Sequence, residues 1–153
     1  MSLEKVKDHL KKYNLDNRVI IFDKSSKTVE LAAIALNCSP SSIAKTMSFY
    51  IDNRKILIVV AGDKKIDNQK YKIEFDKKAK MIPLDEVNIS IGHEVGGVCP
   101  FGVNEDVEIY LDISLKEHDI VYPAAGTGNS AVKIEVSKLE EILDYKKWID
   151  VCK

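Results

Sequence analysis

Two short apolar runs, residues 46–51 and 55–61, are separated only by Asp52-Asn53-Arg54. Thr46, Phe49, Tyr50 and Ile51 in the first run, and Ile56, Ile58, Val59 and Val60 in the second, are β-branched or aromatic. Such side chains suit a pleated, half-buried surface. Asp and Asn tolerate left-handed backbone and hydrogen-bond their own main chain, so the spacer is turn chemistry. The pattern predicts a β-hairpin between antiparallel neighbours, and the rest of the chain has to fold around it.

Upstream of the hairpin, Leu3, Val6 and Leu10 recur at helical spacing behind Ser2, which predicts an amphipathic helix over 3–13 with Ser2 as N-cap and Asn14 at its end. Residues 18–22 are short, apolar and β-branched, hence a strand. The Ala/Leu-rich run 29–36 behind Thr28 is a helix with Asn37 as its C′ residue. Ser39-Pro40 pairs an N-cap with a proline at the first helical position, where a missing N–H costs nothing. A second short helix is therefore expected to run toward Ala44 and deliver Lys45 to the start of a strand.

Downstream, a polar helix is expected over 67–75, a short strand over 79–82, and a helix beginning in 83–87 with acids in its first turn. Residues 92–102 read as a loop. Strands follow at 107–111, 120–122 and 131–136, the last after the turn cluster Gly126-Thr127-Gly128-Asn129-Ser130, and Ser137 is placed to cap a final helix through Leu143. No repeat or linker divides the chain, so 1–153 is expected to form one domain of α/β (α+β) class.

Size and composition narrow the function. The 153 residues, 45% apolar and 31% charged, suit one globular domain, and the longest apolar run, 56–61, is far too short to cross a membrane. The opening residues alternate charge with apolar positions and have no continuous secretory core, so export is not expected. Three widely spaced cysteines, Cys38, Cys99 and Cys152, fit a reducing compartment better than a disulfide framework, and the expected location is cytoplasmic. A net charge of −1 argues against a protein that grips nucleic acid by global charge. Any RNA contact has to be local.

The stretch 92–102 holds four glycines and a proline in eleven positions. Glycine admits positive φ and close approach of a ligand to the main chain, and Pro100 stiffens the exit. Backbone N–H groups of such a loop can face an oxyanion or phosphate, although the same sequence also serves as a tight helix-to-strand connection. It has neither the GxGxxG order nor the Lys-Ser/Thr of a Walker loop, which disfavours nucleotide triphosphate chemistry. Lys45 stands beside an apolar strand, so it either reaches solvent or points into a pocket toward an anion. His93 and Cys99 flank the glycine pair without a metal-ligand spacing, and no metal or other cofactor is expected. A Cys/His nucleophilic pair remains open, with Cys99 as a small core residue the blander reading. Seven lysines, including Lys64, Lys65, Lys70 and Lys72, share 64–80 with three acids, a local excess of four positive charges; the segment is either a solvated face or a place for phosphates to dock.

Taken together, Thr28-Val29-Glu30-Leu31-Ala32, Ala44-Lys45-Thr46, Ala61-Gly62-Asp63, the run Gly96-Gly97-Val98-Cys99-Pro100-Phe101-Gly102 and the turn 126–130 resemble the YbaK/EbsC family. That family includes free-standing aminoacyl-tRNA deacylases and the editing insertion of bacterial prolyl-tRNA synthetase, and the likeness runs through nearly the whole chain. The resemblance implies a curved, mixed, mainly antiparallel sheet flanked by helices, with a pocket between the glycine loop and Lys45. It implies hydrolysis of the ester joining amino acid to tRNA, with Lys45, Gly96 and Gly97 as catalytic residues. Thr46, His93, Val98, Cys99, Pro100, Gly126 and Ser130 would contact substrate, and Lys64, Lys65, Lys70 and Lys72 would dock tRNA. In related proteins loop amides hold the aminoacyl carbonyl while water attacks and a tRNA ribose hydroxyl assists. Some relatives carry a histidine or basic residues near the last turn, whereas 126–130 is uncharged here, which leaves the accepted amino acid open.

The leading expectation is a trans-editing hydrolase acting on mischarged tRNA, of the kind needed because one methylene discriminates by only about 1–3 kcal/mol. The substrate would be tRNA for proline carrying a small wrong amino acid such as alanine, cysteine, serine or threonine. Its expected partners are that tRNA and an aminoacyl-tRNA synthetase, with the protein a monomer or weak homodimer. A non-catalytic tRNA-binding or synthetase-associated module is the alternative. A hydrolase of another small activated ester, or a cell-surface-related regulator, is the third class, since fold does not fix function.

Overall fold

The hairpin is the centre of the molecule. In the computed structural model, which describes residues 2–153, β2 (Ile43–Ile51) and β3 (Arg54–Ala61) pair antiparallel from Ala44↔Ala61 to Ile51↔Arg54. Ile51 and Arg54 pair directly, so the turn is Asp52-Asn53 alone, with Asp52 left-handed at φ 54° and Arg54 inside the strand. Lys45 is thus the third residue of β2 rather than its entrance.

Around the hairpin a curled six-stranded mixed sheet runs in the order β7-β5-β2-β3-β4-β8. Its other members are β4 (Val107–Asp112), β5 (Ile120–Pro123), β7 (Ile134–Glu135) and β8 (Tyr145–Ile149). Pairs β2–β5, β3–β4 and β4–β8 are parallel, and β5–β7 is antiparallel. A separate two-stranded ribbon joins β1 (Val19–Ile21) to β6 (Ser130–Val132). The helices are α1 (Ser2–Lys11), α2 (Val29–Leu36), α3 (Asn68–Phe75), α4 (Leu84–Ile91) and α5 (Val136–Ile142).

Strand β3 is buried on both faces, and the period of two divides its side chains between two cores. Leu57 and Val59 join Val6, Leu10, Ile91, Leu111 and Leu139 on one side. Ile56, Ile58 and Val60 join Phe49, Tyr71 and Tyr110 on the other. Each fully buried aliphatic side chain stabilises by about 1.5–3 kcal/mol relative to exposure, so this strand anchors both layers.

Local signals explain most boundaries. Thr28 caps α2 by accepting from the Leu31 N–H (3.1 Å), and Asn37 ends it at φ 52°. Ser39 caps a 3-10 turn at Pro40–Ser42, shorter than the helix expected toward Ala44 because β2 already begins at Ile43. Four expectations need correction. Ser2 lies inside α1, not before it, and its hydroxyl donates to the Gly92 carbonyl (3.3 Å). The helix also stops at Lys11, and Asn14 follows it in left-handed conformation. Residues 79–82 form only a bridge, Phe49↔Met81. The strand expected over 131–136 is split at Lys133, because β6 pairs with β1 while β7 pairs with β5; α5 then starts at Val136, with Ser137 within its first turn.

Candidate active site

The topology leaves a notch beside β2. Strand β5 covers its outer edge only at Ile43 and Ala44, and the segment 80–82 covers it again where the Ile82 N–H donates to Ser48 O (3.1 Å) and the Tyr50 N–H to Lys80 O (2.9 Å). Main-chain groups of alternate strand residues point to the same side. Since Ser48 and Tyr50 face outward, so does Thr46, whose N–H and C=O meet no main-chain partner in the gap among the described residues. An unpaired strand edge is a template for an incoming polar group.

Over this gap lies a cavity of about 220 Å³. Its floor is β2 from Ile43 to Ser48; Ser26, Lys27, Thr28 and Val29 border it at the start of α2, and Met81, Leu84, Val95, Gly96, Val98, Tyr122 and Ser130 complete much of the wall. The hydroxyls of Ser26 and Thr46 are buried with no hydrogen-bond partner among the described residues. A buried hydroxyl left unpaired costs roughly 1–3 kcal/mol, so these two are groups a ligand would satisfy. Among the described residues no Asp, Glu or His side chain is in the wall.

The glycine loop reaches the cavity through Gly96, left-handed at φ 90°. Gly97 does a different job. Its N–H donates to Glu94 O (3.0 Å), and its carbonyl accepts from the Gly126 N–H (3.0 Å). A Cβ on Gly97 would lodge against Gly126 C and Thr127 N, so the two loops touch backbone to backbone. The Gly96 N–H has no such bond among the described residues.

Of the residues expected at the site, the structure brings Lys45, Thr46, Gly96, Val98 and Ser130 together around the cavity. Gly97 and Gly126 stand behind that wall as its support. His93 and Cys99 are fully buried. His93 Nε2 lies 2.6 Å from the Phe101 carbonyl, an arrangement in which Nε2–H donates and Nδ1 is left without a partner. Burial lowers the His93 pKa and pushes the Cys99 thiol up to about 12. Cys99 Sγ is 3.6 Å from Nε2, but a neutral thiol with no solvent access is a packing group. Pro100 borders a different groove, with Lys5, Asp8 and His9.

Lys45 is half-buried, and its Nζ donates to the Lys64 carbonyl (2.7 Å), leaving two N–H bonds uncommitted. Among the docking lysines, Lys65 and Lys72 are exposed, Lys64 is half-buried, and Lys70 is held by Asp150 (3.1 Å) and the Cys152 carbonyl (2.9 Å). None of the four touches the cavity. Sequence reasoning overlooked Ser26, Lys27 and Ser48, which carry no motif and meet only through the fold.

Residues 23–142 match the family model of the aminoacyl-tRNA editing domain, and the chain belongs to that family, of YbaK type. Among individual relatives, the uncharacterized protein YwhH of Bacillus subtilis (strain 168) is 49% identical over the full chain and 98% of its own length. The proline–tRNA ligase of the same organism is 28% identical over 78% of this chain, which spans 22% of that ligase. In fold, the crystal structure of hypothetical protein APE2540 superposes with a TM-score of 0.88 at 27% identity, covering 97% of this chain and 99% of that one. A solved protein provisionally described as a trans-editing enzyme for prolyl tRNA synthetase has a TM-score of 0.89 at 24% identity, over 99% of this chain and 97% of that one, a likeness of fold alone.

Proposed function

We propose that residues 1–153 act as one free-standing editing domain that hydrolyses the ester of mischarged aminoacyl-tRNA. Its substrate is tRNA for proline carrying a small wrong amino acid. The observation that carries this reading is the notch at Thr46, an open strand edge facing a glycine loop across a small cavity. At about 220 Å³ the cavity is below the roughly 300–1,000 Å³ of sites for drug-sized ligands, which suits a small aminoacyl group.

In the proposed reaction, water attacks the ester carbonyl carbon and the negative charge gathers on the carbonyl oxygen. The uncommitted N–H groups of Thr46 and Gly96 receive that oxyanion; each such donor is worth about 2.7–4 kcal/mol. The Thr46 carbonyl takes the α-ammonium, and Lys45 contacts the substrate through its remaining N–H bonds. With no carboxylate or imidazole in the wall, the proton from water passes to the substrate's own ribose oxygens as the C–O bond breaks. The products are the free amino acid and uncharged tRNA. Three free cysteines support work in a reducing, cytoplasmic setting, and a synthetase that makes the error is the proposed partner.

A panel of tRNAs charged with alanine, cysteine, serine, threonine or proline, run beside a simple aryl ester, separates the classes. Hydrolysis of a mischarged member and sparing of the prolyl ester supports editing. Binding of every tRNA without hydrolysis overturns it in favour of a non-catalytic module, and turnover of the aryl ester alone points to another hydrolase.

A further inference from the structure

Lys27 is laid across two glycines at the mouth of the cavity. A Cβ added to Gly96 would stand 2.8 Å from Lys27 Cγ, and one added to Gly128 would stand 2.6 Å from Cε and 2.7 Å from Cγ. Those glycines belong to two loops fastened together by the Gly128 N–H donating to Glu94 Oε1 (3.2 Å). Their lack of side chains opens a slot that the lysine stem fills. Lys27 itself is exposed. Its main-chain N–H donates to Ser25 Oγ, but its ammonium has no hydrogen-bond or ion-pair partner among the described residues. Holding a lysine stem costs rotamer freedom, and no charge pair among the described residues offsets that cost.

The groups beside Lys27 suit an anion. Ser26 Oγ is unpartnered in a residue 8% exposed. The first turn of α2 starts at Val29 with its N–H groups leading. Glu30, exposed in that turn, is the opposing charge, and Glu94 is already engaged with Gly128. Elsewhere on the rim stand apolar side chains that solvent reaches, Met81 at 55%, Leu84 at 71% and Val95 at 48%. A cation with a neighbouring unpaired hydroxyl, beside an apolar shelf, is complementary to a nucleotide: phosphate on the first, base on the second.

We propose that Lys27 is the residue that binds the phosphate on the 5′ side of the substrate's terminal adenosine, and that Gly128, beside the left-handed Gly96, is a glycine because it seats its stem. This inference rests on the deacylase reading of the cavity for its substrate, but the phosphate site itself can be tested without hydrolysis.

The first arm is binding of adenosine 5′-monophosphate against adenosine, followed by NMR titration of the wild type and of Lys27→Met, which keeps the stem and removes the charge. The wild type is expected to bind the phosphorylated compound about tenfold more tightly, and Lys27→Met to bind the two alike. The second arm compares hydrolysis of aminoacyl-adenosine with and without its 5′-phosphate. Lys27→Met is expected to lower kcat/KM about tenfold on the phosphorylated ester only, with Lys27→Arg partly restoring it. Gly128→Ala should imitate Lys27→Met, because the three atoms nearest its Cβ all belong to the lysine stem, and should add no further loss in a Lys27→Met background. Equal effects on both esters, phosphate-independent binding by the wild type, or additive losses in the double variant would each overturn the assignment. If the phosphate-dependent binding appears while neither ester is cleaved, the phosphate site stands and the deacylase reading fails.

Discussion

Gly97→Ala tests how the cavity wall is supported. The new methyl would press on Gly126 C and Thr127 N and stand 2.6 Å from Gly126 O. Carbon atoms in contact ordinarily sit about 3.5–4.0 Å apart, so the loops must part by roughly an ångström. The three nearest atoms are all main chain, so no rotamer change relieves the clash. Overpacking of this kind costs about 1–3 kcal/mol. Parting the loops also weakens the bond from the Gly126 N–H to Gly97 O (3.0 Å), worth about 1 kcal/mol. The expected loss is therefore about 2–4 kcal/mol, or roughly 5–15 °C in Tm for a domain of this size. Because Gly96 and Ser130 ride on the displaced loops, single-turnover deacylation should fall at least about tenfold at a temperature where the variant is still folded. A Tm within about 2 °C of wild type and an unchanged rate would refute the backbone-to-backbone packing from which the argument starts.

Lys45→Ala should lower kcat/KM at least about tenfold, equivalent to roughly 1.4 kcal/mol, while stability falls by no more than the about 1–2 kcal/mol of its bond to Lys64 O. Lys45→Arg should also be poor, since a planar fork does not replace a compact ammonium; wild-type rates in folded Lys45→Ala would remove this residue from the site. Cys99→Ala should keep most of the activity, because a thiol pushed up to about 12 supplies no thiolate, and complete loss in a folded protein would restore a covalent mechanism. His93 is held neutral by burial, its pKa below the ordinary 6.5. Above 6.5 folded and unfolded chains are both neutral there and stability is full; below it the unfolded chain binds a proton the folded one refuses, so stability falls by up to about 1.4 kcal/mol per pH unit until the folded pKa is reached. Denaturant melts across that window should show the slope in the wild type and lose it in His93→Gln; a slope that survives would assign it elsewhere. Reversing Lys64, Lys65 and Lys72 to glutamate should raise KM and flatten its salt dependence while leaving single-turnover chemistry nearly intact, and an unchanged KM at low and high salt would contradict docking there.

The hairpin, the helix behind Thr28 with Asn37 at its end, and the cap at Ser39 were legible because each depends on a few adjacent residues. What escaped depends on partners far away in sequence. Tyr145–Ile149 carries no strand pattern of its own and becomes β8 only because the edge of β4 is there to pair with. Lys133 breaks a single apolar run because its two halves meet different strands. At the site, the glycine loop and Lys45 were readable as unusual residues, but their division of labour was not. Gly96 borders the cavity while Gly97 braces the wall, and His93 and Cys99, conspicuous by type, turn inward. Thr46 was singled out only through the resemblance, and what matters about it is a main-chain edge that no residue type encodes.

The central claim is that main-chain groups of Thr46 and Gly96 hold the acyl group, and a non-hydrolysable amide analogue of an aminoacyl-adenosine reads it directly by amide-resolved NMR. Titration should shift the Thr46 and Gly96 N–H resonances and slow their exchange with solvent, while the Gly97 N–H, already bonded to Glu94 O, stays protected in both states. Saturable binding that moves neither Thr46 nor Gly96, or that moves the groove around Lys5, Asp8 and His9 instead, would contradict the account.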